Sequence, residues 1–223
     1  MNSKSRNIVI ALIVAALLLG LAVYYLNRPK TYRLASHNIN SDIKVDFPTT
    51  GNKKFDNSLK QLINEEIDTF KDIVGPNKLP HNWRAELIID YETFVHRLIK
   101  SYKFTIFSFT GGAHPMTSLF TKVLDTAKGK EVKLSDLFQP GSPYIKRLSE
   151  LTIADLSRRD NADKKWIKLG AGPDPAHFQK FVLSEREIIL FFDPYEVACY
   201  AAGPQTVKLP LSALRDVWRK NAP

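Results

Sequence analysis

The stretch WRAELIIDYETFVHRLIKSYKFTIFSFT, Trp83–Thr110, consists largely of aromatic and β-branched residues. Residues of these types favour β-strands, because their side chains pack well on a pleated surface. Phe104 and Ile106 alternate with more polar neighbours, as on a strand with one buried face. The stretch therefore predicts two or three long antiparallel strands, with a turn near Tyr91–Thr93 or at Lys100–Ser101.

Amphipathic helices are predicted on both sides of these strands. Upstream, apolar residues recur at three- and four-residue steps from Phe55 to Val74, and Gly75–Pro76 ends the pattern. Downstream, residues 142–156 (SPYIKRLSELTIADL) repeat this spacing, with Pro143 placed at the first turn.

Shorter elements complete the predicted fold. Residues 41–48 and 116–138 contain further strands, 181–194 a strand–turn–strand unit, 206–210 a last strand and 211–220 a C-terminal helix. Helices and strands that follow one another in this order are typical of an α+β fold. We expect a largely antiparallel sheet with packed helices.

The N-terminal segment IVIALIVAALLLGLAVYYL, Ile8–Leu26, contains no charged residue. Nineteen helical residues span about 28 Å, close to the hydrocarbon thickness of a bilayer. A cleaved signal peptide is the alternative, since Gly20 and Ala22 are small residues before a possible cut. The run is longer than a usual signal core, so an uncleaved transmembrane anchor is favoured. Both interpretations export the rest of the chain.

The predicted organisation follows from this anchor. A head of residues 1–7 stays in the cytoplasm, residues 8–26 cross the cytoplasmic membrane once, and the remainder lies in the periplasm or extracytoplasmic space. That remainder divides into an N-terminal α/β part, 34–100, and a C-terminal α+β part, 101–223.

The net charge of +9 does not predict a nucleic-acid partner. Five of the 32 basic residues and none of the 23 acidic residues lie at or before Arg33, so the exported part is only mildly basic. The densest basic patch, Arg158–Lys168, is explained by a solvated helix end. The one cysteine, Cys199, lies in an apolar context and is predicted to be a buried, inert thiol.

Two loops carry the candidate functional residues, FTGGAHP (109–115) and DPYEVACYAAGP (193–204). Aromatic faces stack on pyranose rings and carboxylates accept hydroxyl protons, so one interpretation of the two loops together is a sugar-binding site. The other is a tight turn and a structural polar cluster, and the residues by themselves favour it. The candidate binding residues are Gly111, Gly112, His114, Tyr195, Glu196, Tyr200 and Gly203.

Neither catalysis nor metal binding is predicted. The sequence contains no G-x-S-x-G, S-x-x-K or H-E-x-x-H motif, so no residue is assigned a catalytic role. The five histidines are widely separated, whereas zinc needs three or four converging ligands. No cofactor is expected.

Several stretches together resemble a known family. VDFP with GNKKFDNSLKQLINEEIDTF, then FSFTGGAHPMTSLFTKVLDTAKGKEVKLSDLF, then FFDPYEVACYAAGPQTVKLPLSAL, resemble the exported domains of the lysozyme-sensing anti-sigma factor RsiV and its relatives. The same pair of parts precedes the catalytic region of some peptidoglycan deacetylases. The resemblance covers about 180 positions.

The resemblance implies a module that binds lysozyme or peptidoglycan fragments at the cell envelope. The anti-sigma members of the family carry a cytoplasmic sigma-binding domain and the deacetylases a separate catalytic domain, and neither is recognised here. We therefore expect a binding module without sigma-factor regulation. The alternative is a hydrolase or deacetylase acting on peptidoglycan with His114 and Glu196.

Overall fold

The computed structural model describes residues 30–38, 41–75, 83–160 and 162–220. Three α-helices are present in these residues: α1 (Lys53–Val74), α2 (Tyr144–Leu156) and α3 (Lys164–Gly170). The strands are β1 (Lys30–Asn38), β2 (Ser41–Thr49), β3 (Ala85–His96), β4 (Ile99–Phe109), β5 (Met116–Asp125), β6 (Lys130–Glu131), β7 (Phe181–Leu183), β8 (Glu187–Phe192) and β9 (Gln205–Pro210). Short 3-10 turns lie at Leu134–Leu137, Pro175–Phe178, Tyr200–Ala202 and Leu211–Leu214.

The strands form two sheets, and the predicted α+β class is confirmed. One sheet has the order β1-β2-β3-β4-β5-β6 and the other the order β7-β8-β9. All pairings are antiparallel except β2 with β3, which is parallel. A parallel pair needs a long crossover, and α1 supplies it.

The predicted amphipathic helix is confirmed in α1. Asn52 caps its first turn, because the Asn52 Oδ1 accepts a hydrogen bond from the Phe55 N–H at 3.1 Å. At the other end the Gly75 N–H donates to the Lys71 carbonyl at 2.9 Å. The helix packs on the six-stranded sheet through a stripe of buried residues: Phe55, Leu59, Ile63, Ile67, Phe70 and Val74.

The turn between β3 and β4 lies at neither predicted position. The two strands pair from Glu86 with Phe109 to His96 with Ile99, so Arg97 and Leu98 form the turn. Arg97 adopts a φ of 53°, a conformation that glycine or asparagine usually supplies. The local sequence therefore contained no turn signal to place it.

The prediction of a C-terminal helix over 211–220 was wrong. Only the 3-10 turn Leu211–Leu214 forms, and Trp218 then makes an isolated antiparallel bridge with Phe138. Leu214 and Val217 are buried in the core beneath α2 and α3. Tertiary packing of the chain end has replaced a continuous helix.

The two sheets meet at β7. The Leu183 N–H donates to the Ser101 Oγ at 3.1 Å, and the Phe181 N–H donates to the Thr121 Oγ1 at 3.0 Å. A buried apolar cluster fills this junction: Leu119, Val182, Ile189 and Phe191. Side-chain hydroxyls, rather than a strand ladder, thus connect β7 to the larger sheet.

The N-terminal predictions lie outside the described residues. These include the head 1–7 and the anchor 8–26, and among the residues that are described no helix is both long and apolar enough to cross a membrane. The proposed division into 34–100 and 101–223 falls inside β4. It remains a prediction.

Candidate functional site

His114 lies on an exposed loop that connects β4 to β5. Gly111 has a φ of 89°, which favours glycine, whereas a Cβ at Gly112 would make only an ordinary contact of 3.9 Å with the His114 carbonyl oxygen. The His114 Nδ1 is 3.1 Å from the Pro115 carbonyl oxygen. A carbonyl oxygen only accepts hydrogen bonds, so the neutral ring carries its proton on Nδ1 and Nε2 is its acceptor nitrogen.

Tyr200 packs directly on His114. Their ring centroids are 4.0 Å apart, with 29° between the ring planes. The Tyr200 hydroxyl donates to the same Pro115 carbonyl at 2.6 Å. These contacts bring the two predicted loops together and hold both rings in fixed orientations.

Tyr195 and Trp166 extend this contact into a row. The Tyr195 ring centroid lies 5.9 Å from that of Tyr200 and 6.5 Å from that of Trp166, with interplanar angles of 30° and 22°. The Trp166 Nε1–H donates to the Tyr195 carbonyl at 2.9 Å. We call His114, Tyr200, Tyr195 and Trp166 the aromatic row.

Tyr195 is held in an uncommon backbone conformation. Its φ is 72°, which is a marked departure for a bulky residue, and the residue as a whole is 49% exposed. A hydrogen bond from the Tyr195 N–H to the Ala198 carbonyl, 3.0 Å long, closes the turn. Such outliers persist where the surrounding structure determines them, and they occur often at functional sites.

Gly203 ends the turn that carries Tyr200. Its φ of 65° ends the 3-10 turn Tyr200–Ala202, and its N–H donates to the Tyr200 carbonyl at 2.9 Å. A left-handed conformation of this kind is inexpensive only for glycine. Gly203 and Gly111 therefore shape the two loops that present the rings.

Glu196 belongs to a separate polar cluster. Its Oε1 accepts from the Lys180 Nζ at 2.6 Å, and its Oε2 accepts from the Asp193 N–H at 2.7 Å. Lys180 also bonds the Asp193 Oδ2 at 2.6 Å. Both Glu196 oxygens are thus engaged at the base of the loop.

The polar cluster connects the loop to the larger sheet. The Asp193 Oδ1 accepts from the Leu119 N–H at 2.8 Å. Burial alone would lower the pKa of Lys180, but its hydrogen bonds with Asp193 and Glu196 raise that pKa overall. The lysine therefore remains an ammonium between two carboxylates, and the cluster serves to anchor the loop.

A cavity of about 470 Å³ adjoins the aromatic row. Trp166 contributes to both. The remaining walls come from Leu156 of α2, Ile167 of α3, residues of the connection between these helices and the segment 197–205. Cys199 lines the cavity and is exposed, so the prediction of a buried thiol was wrong. The apolar neighbours of Cys199 in sequence lie on a turn, where they do not enclose it.

Sequence reasoning missed Trp166, Lys180 and the cavity. Trp166 is half-buried among lysines in the patch that was explained as a solvated helix end. A lone tryptophan within a charged segment is a usable signal, because a large apolar ring requires a packing partner. In the part of the chain that the structure describes, no group of three or more His, Cys, Asp or Glu residues could hold a metal ion.

Residues 135–212 match a family model. Its description is "Protein of unknown function (DUF3298)". This DUF3298 region contains three members of the aromatic row, together with Glu196 and Gly203, whereas His114 precedes it. The row therefore joins the DUF3298 region to the β4–β5 loop.

Two curated proteins are similar over most of the chain. The peptidoglycan-N-acetylmuramic acid deacetylase PdaC of Bacillus subtilis is 29% identical over 181 residues, which cover 79% of this chain and 38% of the deacetylase. The immunogenic protein MPT64 of Mycobacterium tuberculosis is 25% identical over 183 residues, covering 80% of this chain and 77% of MPT64. The chain thus spans less than half the length of the deacetylase.

A solved structure shares the fold. A DUF3298 family protein from Pseudomonas aeruginosa superposes with a TM-score of 0.62 at 17% sequence identity. The superposition covers 87% of this chain and 96% of the other. Both the DUF3298 region and the preceding strands thus take part in the shared architecture.

Proposed function

We propose that the chain is a membrane-anchored, extracytoplasmic binding module of the cell envelope that holds peptidoglycan glycan against the aromatic row. Residues 8–26 would form the anchor, and the aromatic row would face the cell wall. Similarity to PdaC supports a role in the cell envelope. The resemblance to the exported domain of RsiV supports the extracytoplasmic location that is part of this proposal.

The aromatic row is the observation that carries this function. Its rings follow one another with centroids 4.0, 5.9 and 6.5 Å apart, and Tyr195, one of the two inner members, is 49% exposed. Sugar rings present apolar C–H faces that pack on aromatic faces, while tyrosine and tryptophan supply polar groups at their edges. Because neighbouring contacts already fix the rings, binding would cost little side-chain entropy.

The contacts that Asp193 and Glu196 make favour binding over hydrolysis. A glycosidase needs two carboxyl groups on either side of the scissile bond, with space between them for the substrate. Here Lys180 lies between Asp193 and Glu196, at 2.6 Å from each. His114 contacts Tyr200 and the Pro115 carbonyl, so the predicted pairing of His114 with Glu196 receives no support from these contacts.

Isothermal titration of the full chain with purified peptidoglycan glycan fragments tests the proposal. Replacing Tyr195 by alanine removes one of the two inner rings, and we expect the affinity to fall about two- to tenfold, or about 0.5–1.5 kcal/mol. Tyr32→Ala is the matched control, because Tyr32 is 48% exposed and lies on β1, outside the row. The control should bind like the wild type.

Four results would contradict parts of this proposal. Absence of binding at high micromolar concentration would remove peptidoglycan as the ligand, and binding of lysozyme alone would make that protein the partner. Peptidoglycan cleavage or deacetylation that is lost in both His114→Ala and Glu196→Gln would establish the enzymatic alternative. Extraction of the chain from membranes by alkaline carbonate would contradict the anchor.

A further inference from the structure

The cavity beside the aromatic row has the dimensions of a ligand site. Its volume of about 470 Å³ lies within the roughly 300–1,000 Å³ that is typical of small-molecule pockets. The Trp166 side chain contributes to the cavity and also ends the row. A sugar that stacks on the row at Trp166 would therefore lie next to the cavity.

The walls of the cavity are mainly apolar. Leu156, Ile167 and Val197 are buried side chains that form part of its lining. Four alanines and the Cys199 thiol add small apolar surfaces: Ala162, Ala198, Ala201 and Ala202. An apolar group on the ligand would gain free energy by leaving water here.

The strongest polar groups of the lining already have partners. The Arg159 guanidinium donates to the Gln205 Oε1 at 2.8 Å, to the Asp155 Oδ2 at 2.6 Å and to the Thr206 carbonyl at 2.6 Å. The Gln205 amide donates to the Ala202 and Gly203 carbonyls at 2.8 and 3.1 Å. These bonds brace the cavity and leave little capacity to bind an anion.

The charges at the cavity favour an uncharged ligand group. Asp160 and Asp163 contribute to the lining, and the Asp163 Oδ1 already accepts from the Lys165 and Trp166 N–H groups at 2.9 and 3.0 Å. Lys164 and Lys165 directly follow Asp163 in the chain. The charges around the cavity are mixed, so they favour neither a cation nor an anion. An amide N–H, in contrast, is a suitable donor for a carboxylate.

We propose that this cavity is a subsite for the acetamido group of an N-acetylated sugar bound on the aromatic row. The acetamido methyl packs against the apolar wall, and the acetamido N–H faces the carboxylates. The subsite rests on the proposed glycan-binding function and adds a substrate class to it. The module then distinguishes N-acetylated glycan from glycan that lacks this group.

Two neutral tetrasaccharides with the same β-1,4 linkage test the subsite. The full chain is titrated with tetra-N-acetylchitotetraose and with cellotetraose, which differ in the acetamido groups. We expect the N-acetylated sugar to bind about tenfold or more tightly, since filling a small apolar pocket discriminates by about this factor. Equal affinities would overturn the subsite.

A cavity-filling substitution tests whether the preference for the N-acetylated sugar arises in the cavity. Ala201 is exposed and lines the cavity, so Ala201→Phe should occupy it without disturbing the buried core. We expect this variant to lose the preference for the N-acetylated sugar while keeping its affinity for cellotetraose. Ala176→Phe, at an exposed alanine of another 3-10 turn, is the control and should keep the preference.

Cys199 supplies a readout that does not depend on affinity. It is the single cysteine of the chain and lines the cavity, so its alkylation rate reports occupancy. Saturating tetra-N-acetylchitotetraose should slow alkylation at least several-fold, whereas saturating cellotetraose should not. Equal rates with both saturating sugars would overturn the subsite.

The outcomes separate the two proposals. Binding of both sugars with equal affinity, weakened alike by Tyr195→Ala, would overturn the acetamido subsite and preserve the aromatic row. Binding of neither sugar would overturn the subsite together with glycan recognition by the row.

Discussion

At the scale of one residue, Tyr102 shows how burial changes a pKa. The side chain is fully buried between α1 and the six-stranded sheet, where it packs against Phe55 and Tyr91. Burial, with smaller contributions from the charges of Asp56 and Tyr91, raises the pKa of Tyr102 from 10.0 to about 12. Over about two pH units, the folded state therefore keeps the neutral phenol while the unfolded chain is ionised.

This raised pKa predicts a loss of stability at alkaline pH. Below pH 10 the phenol is neutral in both states, so its contribution is fully present. Between pH 10 and 12 the unfolded chain loses the proton and the folded chain keeps it, which favours unfolding by about 2–3 kcal/mol. Urea unfolding of the wild type and of Tyr102→Phe from pH 9 to 12 measures the difference. An equally steep decline in both proteins would contradict the prediction.

Residues of the aromatic row were partly predictable from the sequence. His114, Tyr195 and Tyr200 stood out because aromatic residues and glycines cluster in their loops. Trp166 did not, because it reaches the row through contacts with Tyr195, which lies 29 positions away in the chain. Glu196 was expected beside the histidine, but Lys180, sixteen positions upstream, engages it instead.

Helix α3 shows at the scale of an element how a close approach restricts a residue. The helix ends at Gly170, where a Cβ atom would lie 1.7 Å from the Glu196 carbonyl oxygen and 2.6 Å from its carbonyl carbon. No real side chain tolerates such distances. The absence of a side chain at Gly170 therefore sets how closely the loop with Tyr195 and Glu196 packs on α3.

Substituting this glycine should displace the loop. We expect Gly170→Ala to lower the free energy of unfolding by about 1–3 kcal/mol or more, because the backbone of Glu196 must move. Glycan affinity should fall with it, since Tyr195 is adjacent. Gly112→Ala is the matched control, with no atom nearer than 3.9 Å to the added Cβ and no positive φ.

Urea unfolding and glycan titration of both variants provide the measurements. A Gly170→Ala protein as stable as the wild type would show that α3 does not restrain the loop. A Gly112→Ala protein with the same loss as Gly170→Ala would show that the effect is not specific to the close approach.

The junction at β7 connects the two sheets of the molecule. The smaller sheet is attached to the larger one by the buried hydrogen bond from Leu183 to Ser101 and by a buried apolar cluster. The Ser101 side chain is inaccessible to solvent, so water cannot replace it. Loss of this hydroxyl leaves a buried N–H without its acceptor.

We expect Ser101→Ala to cost about 1–3 kcal/mol of stability, because the Leu183 N–H would remain buried and unpaired. Ser142→Ala, at a half-buried turn, should change stability by less than about 0.5 kcal/mol. Since the junction links both sheets, circular dichroism and tryptophan fluorescence should give coincident urea transitions in every variant. Two separate wild-type transitions would contradict a cooperative junction.

Local periodicity was enough to determine much of the architecture. The long strands β3 and β4, the helices α1 and α2, and the α+β class all follow from the spacing of apolar residues, which decides the face that each element buries. Spacing did not place the turn at Arg97 or the end of the chain after Pro210. There, tertiary packing selected conformations for which the local sequence contains no signal.

The sequence by itself thus determined the class of the fold and the two loops that hold most of the candidate site. Only the tertiary structure decided that His114 stacks on Tyr200, that Trp166 completes the row and that Cys199 lines an open cavity. The physical reason is that an element's periodicity depends on neighbours three or four positions away. The site, in contrast, depends on contacts such as that between His114 and Tyr200, whose partners are brought together by β5, α2, α3 and both sheets.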